Sequence, residues 1–335
     1  MKKNYLPKKS EKEIIKILKK RKFEDLQAIQ AIEKFFIKKR GYIFKMPPKK
    51  NPVILLFSGG LDSTITWALL MEIYQLVVYP LVRISPESGN ELKRTKKVVR
   101  DLSPFLKKKY PKLFREPFYF QKGFSVSEIK KEYTKNLKKN KKELLKFITS
   151  EDHFMTEIPD FMTNFISPAL QYKNLLRIEK KEDINTIFFG LISSDGEAAK
   201  AQTLTSLKSI MFNACNTTQN YKLQISSLAI EKELGYFLSA KEFIRAANKI
   251  NLPLEYTWSC LKKGSQHHCG KCFGCGNRQF RFSISGIKDK TIYLNTIKNS
   301  FFVPNYRKYV KDRHPLLHKL VKYVYNKNKK EVNKK

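Results

Sequence analysis

The sequence predicts an α/β fold, a doubly wound parallel sheet, followed by a four-cysteine segment near the C-terminus. Three observations predict it. Short apolar runs alternate with helix-patterned stretches between about residues 50 and 250, which implies parallel strands joined by crossover helices. A glycine turn, "SGGLDST" (58–64), stands between the first of those runs and the helix pattern behind it, where such sheets bind their ligands. Cys260, Cys269, Cys272 and Cys275 crowd together with C-x8-C-x2-C-x2-C spacing, a metal-ligand pattern.

Residues 1–50 read as a basic helical extension. Ile14, Ile15, Leu18, Leu26, Ile29, Ile32 and Phe36 fall near helical spacing with lysines between them, until "MPPKKNP" breaks the pattern. The sheet domain is expected over 51–255. "VILLF" (53–57) reads as a central strand and "TITWALLMEIY" (64–74) as the helix after it. "LVVYPLV" (76–82) reads as a second strand and "FYF" (118–120) as a third. A charged helical insertion is placed near 90–165, with lysine-rich helix over about 90–109 and again over 125–150. "PALQYKNLLRIEKKE" (168–182) reads as a helix, "TIFFGLI" (186–192) as a strand, and "AKAQTLTSLKSIMFNA" (199–214) as a helix. "KLQIS" (222–226) supplies the last strand, and "SAKEFIRAANKI" (239–250) a helix opened by a serine cap. A metal-binding segment over 256–285 and a basic extension over 286–335, ending in the solvated tail "NKNKKEVNKK", complete the chain.

The composition bounds the function. At 41% hydrophobic over 335 residues the chain can bury a substantial core, which excludes wholesale disorder. No apolar run approaches the ~18 residues of a membrane span. "MKKNYLPKKSEKE" has a positive start with no apolar stretch behind it, so a soluble, cytoplasmic protein with no membrane partner is expected. The net charge of +37 suits polyanionic partners, although lysine-rich genome bias explains it equally well. Five cysteines, four of them clustered, argue for a metal site in a reducing compartment and against a disulfide framework.

The turn is a phosphate site by its chemistry. Glycines at 59 and 60 let the backbone approach a ligand closely, and N–H groups at the following helix N-terminus point at an anion. Ser58, Ser63 and Thr64 add hydroxyl donors. Asp62 would repel a bare phosphate, so its natural task is to hold Mg²⁺ bridging phosphate oxygens. The turn lacks the lysine of a Walker A loop and is not G-x-G-x-x-G. A tight bend with no ligand is the plain alternative.

The cysteines match the ligand count of a closed tetrahedral Zn²⁺ site, structural rather than catalytic, one ion per chain. Gly270, Gly274 and Gly276 suit the turns between them. An iron–sulfur cluster is the weaker alternative. His267 and His268 read as solvated loop histidines rather than substitute ligands, and Cys215, outside the cluster, as a buried core thiol.

"SGGLDST" resembles the S-G-G-x-D-S signature of the PP-loop ATP pyrophosphatases, whose Rossmann-like sheet is of the adenine-nucleotide α-hydrolase type and which cleave ATP to AMP and pyrophosphate. "LPLEYTWSC…CGKCFGCGNRQFRF" is similar to the zinc motif of the 7-cyano-7-deazaguanine synthase family, which joins that loop and that cysteine spacing in the same order. The resemblance runs from about Val53 to Phe282. It implies a C–N bond-forming ligase of queuosine biosynthesis: ATP adenylates 7-carboxy-7-deazaguanine, ammonia or another amine displaces AMP, and a second adenylation gives the nitrile. It also implies that Ser58, Gly59, Gly60, Leu61, Asp62, Ser63 and Thr64 hold Mg-ATP, with Asp62 and Ser63 in the catalytic role. Lys241 lies where the family has a lysine; a solvated helix lysine accounts for it equally well.

The middle of the chain departs from the family. Its glycine–tyrosine–proline–aspartate–cysteine–arginine stretch is replaced by "GLISSDGEAAKAQT", where only Asp195 and Gly196 align, and its proline–glycine–arginine–asparagine loop by "NFISPALQY". Three readings stay open: a divergent synthase; a synthase-like paralogue with a protein or nucleic-acid acceptor, as in antiviral defence; and a nucleic-acid-binding module using the cluster as a zinc knuckle, without turnover. A homodimer is the candidate assembly.

Overall fold

The computed structural model describes residues 5–83, 89–120, 163–193, 203–262 and 267–294. The chain divides into two compact units, Met1–Thr257 and Trp258–Lys335. The expected helix over 125–150, Asp195 and Gly196, and the C-terminal tail lie outside the described residues.

The first unit holds a five-stranded sheet of β1 (Pro52–Leu56), β2 (Val77–Arg83), β3 (Phe118–Phe120), β4 (Thr186–Phe189) and β5 (Gln224–Ser227), in the order β3-β2-β1-β4-β5. Every pairing is parallel. Val53 to Leu56 of β1 and all of β4 and β5 are buried, as strands covered on both faces must be. The crossovers are α3 (Leu61–Tyr74), α4 (Gly89–Lys109), α5 (Thr163–Lys180) and α6 (Leu204–Thr218), and α7 (Ala240–Lys249) follows β5. The five strands and their helices are those the sequence predicts, with shifted ends. The helix after β1 starts at Leu61, three residues earlier than its apolar pattern, because Gly60 already serves as its N-cap. The helix α5 starts at Thr163 and runs through Pro168; burial of Ile166, Ala169, Tyr172 and Leu176 offsets the one hydrogen bond the proline cannot donate.

The sheet order places a topological switch at β1. From β1 the chain builds outward to β2 and β3, then returns to add β4 on the other side of β1. The crevice beyond the carboxyl ends of β1 and β4 is therefore where a ligand fits.

Residues 11–40 are part of this unit's core. The helix α1 (Glu11–Lys19) opens on a capping box between Ser10 and Glu13, and α2 (Leu26–Arg40) opens on Asp25 and closes on left-handed Gly41. Ile14, Leu18, Ile29 and Phe36 pack in one cluster with Ile54, Tyr79, Ile187 and Ile225 of the sheet. Arg40 donates to the carbonyls of Tyr221 (3.0 Å) and Leu223 (2.7 Å) beside β5. Glu24 accepts from the backbone N–H groups of Leu204 (3.2 Å) and Thr205 (3.0 Å), a carboxylate cap on the N-terminus of α6.

A buried charge cluster joins these helices to the chain after β5. Lys208 is 1% exposed; its Nζ lies 3.3 Å from Glu233 and 3.6 Å from Glu231. Lys232 meets Glu33 at 2.9 Å and Glu11 at 3.1 Å. Burial pushes the Glu231 carboxyl up to about 8, and Ser226 donates a short hydrogen bond to it. Lys208→Met leaves the buried Glu231 carboxyl, beside half-buried Glu233, without its cation and is expected to cost about 3–5 kcal/mol in urea denaturation. A loss under about 1 kcal/mol would show that the carboxyls repair themselves by protonation.

Gly190, directly after β4, touches the start of α3. A Cβ at Gly190 would stand 2.5 Å from Ser63 Cα and 2.6 Å from Ser63 N, closer than any unstrained contact. Ser227 fixes the chain just beyond, accepting from Leu191 N–H at 3.2 Å and donating to the Leu191 carbonyl at 2.6 Å. Gly190→Ala should therefore destabilise the protein by about 1–3 kcal/mol, the usual cost of overpacking, read as a lowered urea midpoint at unchanged m-value. Wild-type stability would mean that β4 and α3 separate without penalty.

Candidate functional site

The glycine turn is built as the sequence reading requires. The strand β1 ends at Leu56, and Phe57 N–H still donates to the Leu81 carbonyl at 2.9 Å. The chain then turns in three residues. Gly59 has φ +73°, a conformation that disfavours any side chain. Gly60 caps α3 with no side-chain hydrogen bond, so the first-turn N–H groups meet no capping side chain from that position. Ser58 and Ser63 close the turn on itself: their hydroxyl oxygens lie 3.1 Å apart, Ser58 N–H donates to Ser63 Oγ at 3.3 Å, and Gly60 N–H donates to Ser58 Oγ at 3.3 Å. Thr95 of α4 donates to the Ser58 carbonyl at 3.5 Å.

Ser58 is exposed, Asp62 is half-buried in the first turn of α3, and Leu61 and Ser63 are buried. Thr64, expected as a third hydroxyl donor, faces inward. Its side chain is 0% exposed, its hydroxyl oxygen has no hydrogen-bond partner, and its N–H already serves the Gly60 carbonyl at 3.1 Å. One residue past the turn's open face, helical rotation carries the side chain into the core. Lys241 is exposed in the first turn of α7 and lines a cavity with Tyr5, Ser239 and Arg245, not with the turn residues. Gly190 is the site residue sequence reasoning missed; its only signal was a glycine at the end of an apolar strand run.

The second unit holds the cysteine cluster. The four Sγ atoms all lie within 4.8 Å of one another, with Cys260–Cys272 at 3.8 Å and Cys269–Cys275 at 4.0 Å. None is in a disulfide. Local structure brings them together. Cys272 is the N-cap of α8 (Phe273–Ser285), and Cys275 sits in its first turn. Gly270, at φ +74°, turns the chain between Cys269 and Cys272. Gly274 lets Ser259 approach, since a Cβ there would meet the Ser259 carbonyl at 1.9 Å. Gly276 corrects the expectation of a third turn glycine: it lies inside α8 with open space around it.

Backbone N–H groups point at the sulfurs, Leu261 to Cys272 at 3.3 Å, Cys269 to Cys260 at 3.4 Å and Cys272 to Cys269 at 3.3 Å. A hydrogen bond from the Cys275 thiol, with the Leu261 N–H behind it, lowers Cys272 to about 4 against the opposing effect of burial. The bond to Cys272 and burial raise Cys275, and burial raises Cys260. The separations suit ligands of one tetrahedral ion at about 2.3 Å, whose sulfurs stand roughly 3.8 Å apart. The four residues thus fit a metal.

His268 corrects the expectation of a solvated loop histidine. It is 4% exposed, stacks on Trp258 at 4.6 Å, and its Nε2 accepts from Ser259 N–H at 3.1 Å. His267 is exposed. Behind the cluster, Arg278 is 1% exposed and grips Asp289 at 3.1 and 3.3 Å, while Tyr293 donates to the same carboxylate at 2.6 Å. No spacing in the sequence marked that pair. Cys215, in the first unit, is the core thiol expected: 0% exposed, donating to the Leu223 carbonyl at 3.2 Å, and pushed up to about 11 by burial.

Comparison with known proteins places this geometry. The 7-cyano-7-deazaguanine synthase of Campylobacter jejuni is 31% identical over 117 residues, 35% of this chain and 49% of that protein; the chain thus spans about half the length of such curated relatives. The 7-cyano-7-deazaguanine synthase 2 of Desulfitobacterium hafniense is 26% identical over 257 residues, 76% of this chain and 97% of that one. The solved U34-tRNA thiolase NcsA from Methanococcus maripaludis, with its [4Fe-4S] cluster, aligns over 90% of this chain and 79% of that one at 14% identity and a TM-score of 0.36. The family model described as queuosine biosynthesis protein QueC matches residues 52–286, from the first residue of β1 to the glycine that ends α8, and the chain belongs to that family, within the PP-loop superfamily.

Proposed function

We propose that this chain is an ATP-dependent adenylating enzyme that activates a carboxylate, of the 7-carboxy-7-deazaguanine type, for attack by ammonia or another amine. The observation that carries it is the "SGGLDST" turn seated at the β1/β4 switch point. Ser58 and Ser63, with the first-turn N–H groups of α3, hold the phosphates to be released. Asp62 anchors Mg²⁺, which when bound neutralises charge on the phosphate oxygens. Gly190 lets β4 seat the Ser63 backbone, which fixes the angle at which the turn meets its ligand. Thr64 supports the turn from inside the core rather than gripping phosphate. The departures in "GLISSDGEAAKAQT" favour an acceptor other than the free base, a protein or nucleic acid among them. Cytoplasmic residence accords with four clustered cysteines outside any disulfide; among the described residues no helix is long and apolar enough to cross a membrane.

With Mg-ATP, ammonia and 7-carboxy-7-deazaguanine, the nucleotide products should be AMP and pyrophosphate, with weak or no nitrile by mass spectrometry. Asp62→Ala should lower pyrophosphate release by at least about 100-fold, the scale of a lost electrostatic anchor. ADP and phosphate as products, or an active Asp62→Ala variant, would sink the reading.

The cysteines hold one structural Zn²⁺. Their tight grouping favours a single ion, because an iron–sulfur cube spreads its four thiolates over separate irons. Elemental analysis should find about one zinc per chain. Cys272→Ser should lose metal and stability together, since site formation is coupled to folding, while Cys215→Ser should keep its metal. Iron in place of zinc, or equal loss in both variants, would overturn the assignment.

A further inference from the structure

A cavity of about 770 Å³ in the first unit lies along α7, lined by Tyr5, Pro7, Ser239, Lys241, Glu242, Arg245 and Lys249. Its charge is one-sided. Lys241, Arg245 and Lys249 are exposed and recur every fourth residue, so they form one row along the helix at about 6 Å per step. The opposite face, Phe243, Ile244, Ala246 and Ala247, is buried. Glu242 is the one carboxylate in the lining among the described residues, and it is already engaged. It accepts from Ser239 N–H at 2.7 Å and from the Ser239 hydroxyl at 2.8 Å, and it pairs with Lys9 at 3.1 Å. These partners hold it below the usual carboxylate range despite burial. The Tyr5 ring forms one wall, tied by its hydroxyl to Glu72 at 3.0 Å.

The row begins at the carboxyl edge of the sheet. Leu238, next to the cap of α7, accepts from Ser193 N–H beyond β4 and donates to the Ala229 carbonyl beyond β5. From that edge the cations lead away along the outside of the helix. Long lysine and arginine stems let cations spaced about 6 Å apart follow a run of phosphates. We propose that this α7 row is a nucleic-acid-binding surface that takes the phosphodiester backbone of a strand into the cavity. The inference does not rest on adenylation and survives if no ATP is cleaved.

The test separates this row from the general positive charge of the chain. Binding of a fluorescein-labelled 20-nucleotide oligouridine strand to the full-length protein is followed by anisotropy over a range of NaCl concentrations. Arg245→Glu/Lys249→Glu should weaken binding at least tenfold and reduce the slope of log K against log salt by about 1.4, two phosphate contacts at about 0.7 each. Arg245→Gln/Lys249→Gln should show a smaller loss of the same kind. Lys107→Glu/Lys108→Glu, the same charge change on exposed positions of α4, should stay within twofold of wild type. Equal losses in the α4 and α7 variants would overturn the proposal in favour of diffuse charge, as would no binding at all. Inorganic triphosphate competing as well as the strand would make the cavity a small-anion site. Polyglutamate of matched charge competing equally would make it a surface for acidic protein.

Discussion

The contact between Gly190 and Ser63 is the constraint on which the first unit's site depends. Two backbones meet there with no side chain between them, so the end of β4 and the start of α3 share one position in space. Parallel pairing of β4 with β1 sets where the strand ends lie. The glycine contact then sets where the helix begins. With both fixed, the three residues between Leu56 and the cap at Gly60 have little freedom, and the left-handed backbone at Gly59 is the way to span them. A phosphate turn needs such fixed amides, because donors that must reorganise on binding stabilise charge less than donors already in place. Two hydrogen bonds support this from outside: Thr95 holds the Ser58 carbonyl, and Ser227 holds Leu191.

The second unit obeys a different constraint. Four thiols within 4.8 Å cannot all ionise without a cation, since like charges at that distance repel strongly in a buried site. The thiols differ accordingly: the Cys275 hydrogen bond, with the Leu261 N–H behind it, holds Cys272 low, while the bond to Cys272 and burial raise Cys275 and burial raises Cys260. A divalent ion removes the conflict, and metal affinity then depends on pH because binding releases the remaining protons. Behind the cluster, the Arg278–Asp289–Tyr293 group ties α8 to the chain that follows it without touching the sulfurs.

What could be read in the sequence was what local chemistry dictates. The five strands were visible as apolar runs, the strand-to-helix turn as paired glycines, and the four-cysteine cluster as cysteine spacing. Each of these is written within a few residues. The features missed all depend on distant partners. Gly190 matters because of Ser63, His268 is buried because Trp258 covers it, and Lys208 is buried because Glu231 and Glu233 meet it there. Thr64 is a related case: its hydroxyl chemistry is that of a ligand, and one more helical step places it in the core.

The same distinction bears on the basic charge. A lysine-rich composition alone scatters cations over every exposed position, and most of those on α1, Lys12, Lys16, Lys19 and Lys20 among them, lie where an amphipathic helix would place any polar residue. The α7 row differs in its neighbour: among the described residues lining that cavity, the carboxylate of Glu242 is occupied by a lysine from another segment. Lys9 reaches Glu242 because its own backbone N–H is held by the Gly235 carbonyl at 2.8 Å, and Gly235 takes a left-handed turn to present that carbonyl. The N-terminal segment thus does two things for the α7 face at once. It closes one wall of the cavity with Tyr5, and it cancels the charge that would otherwise oppose an anion there. A segment that composition describes as a basic extension is, by its contacts, part of the wall of a site.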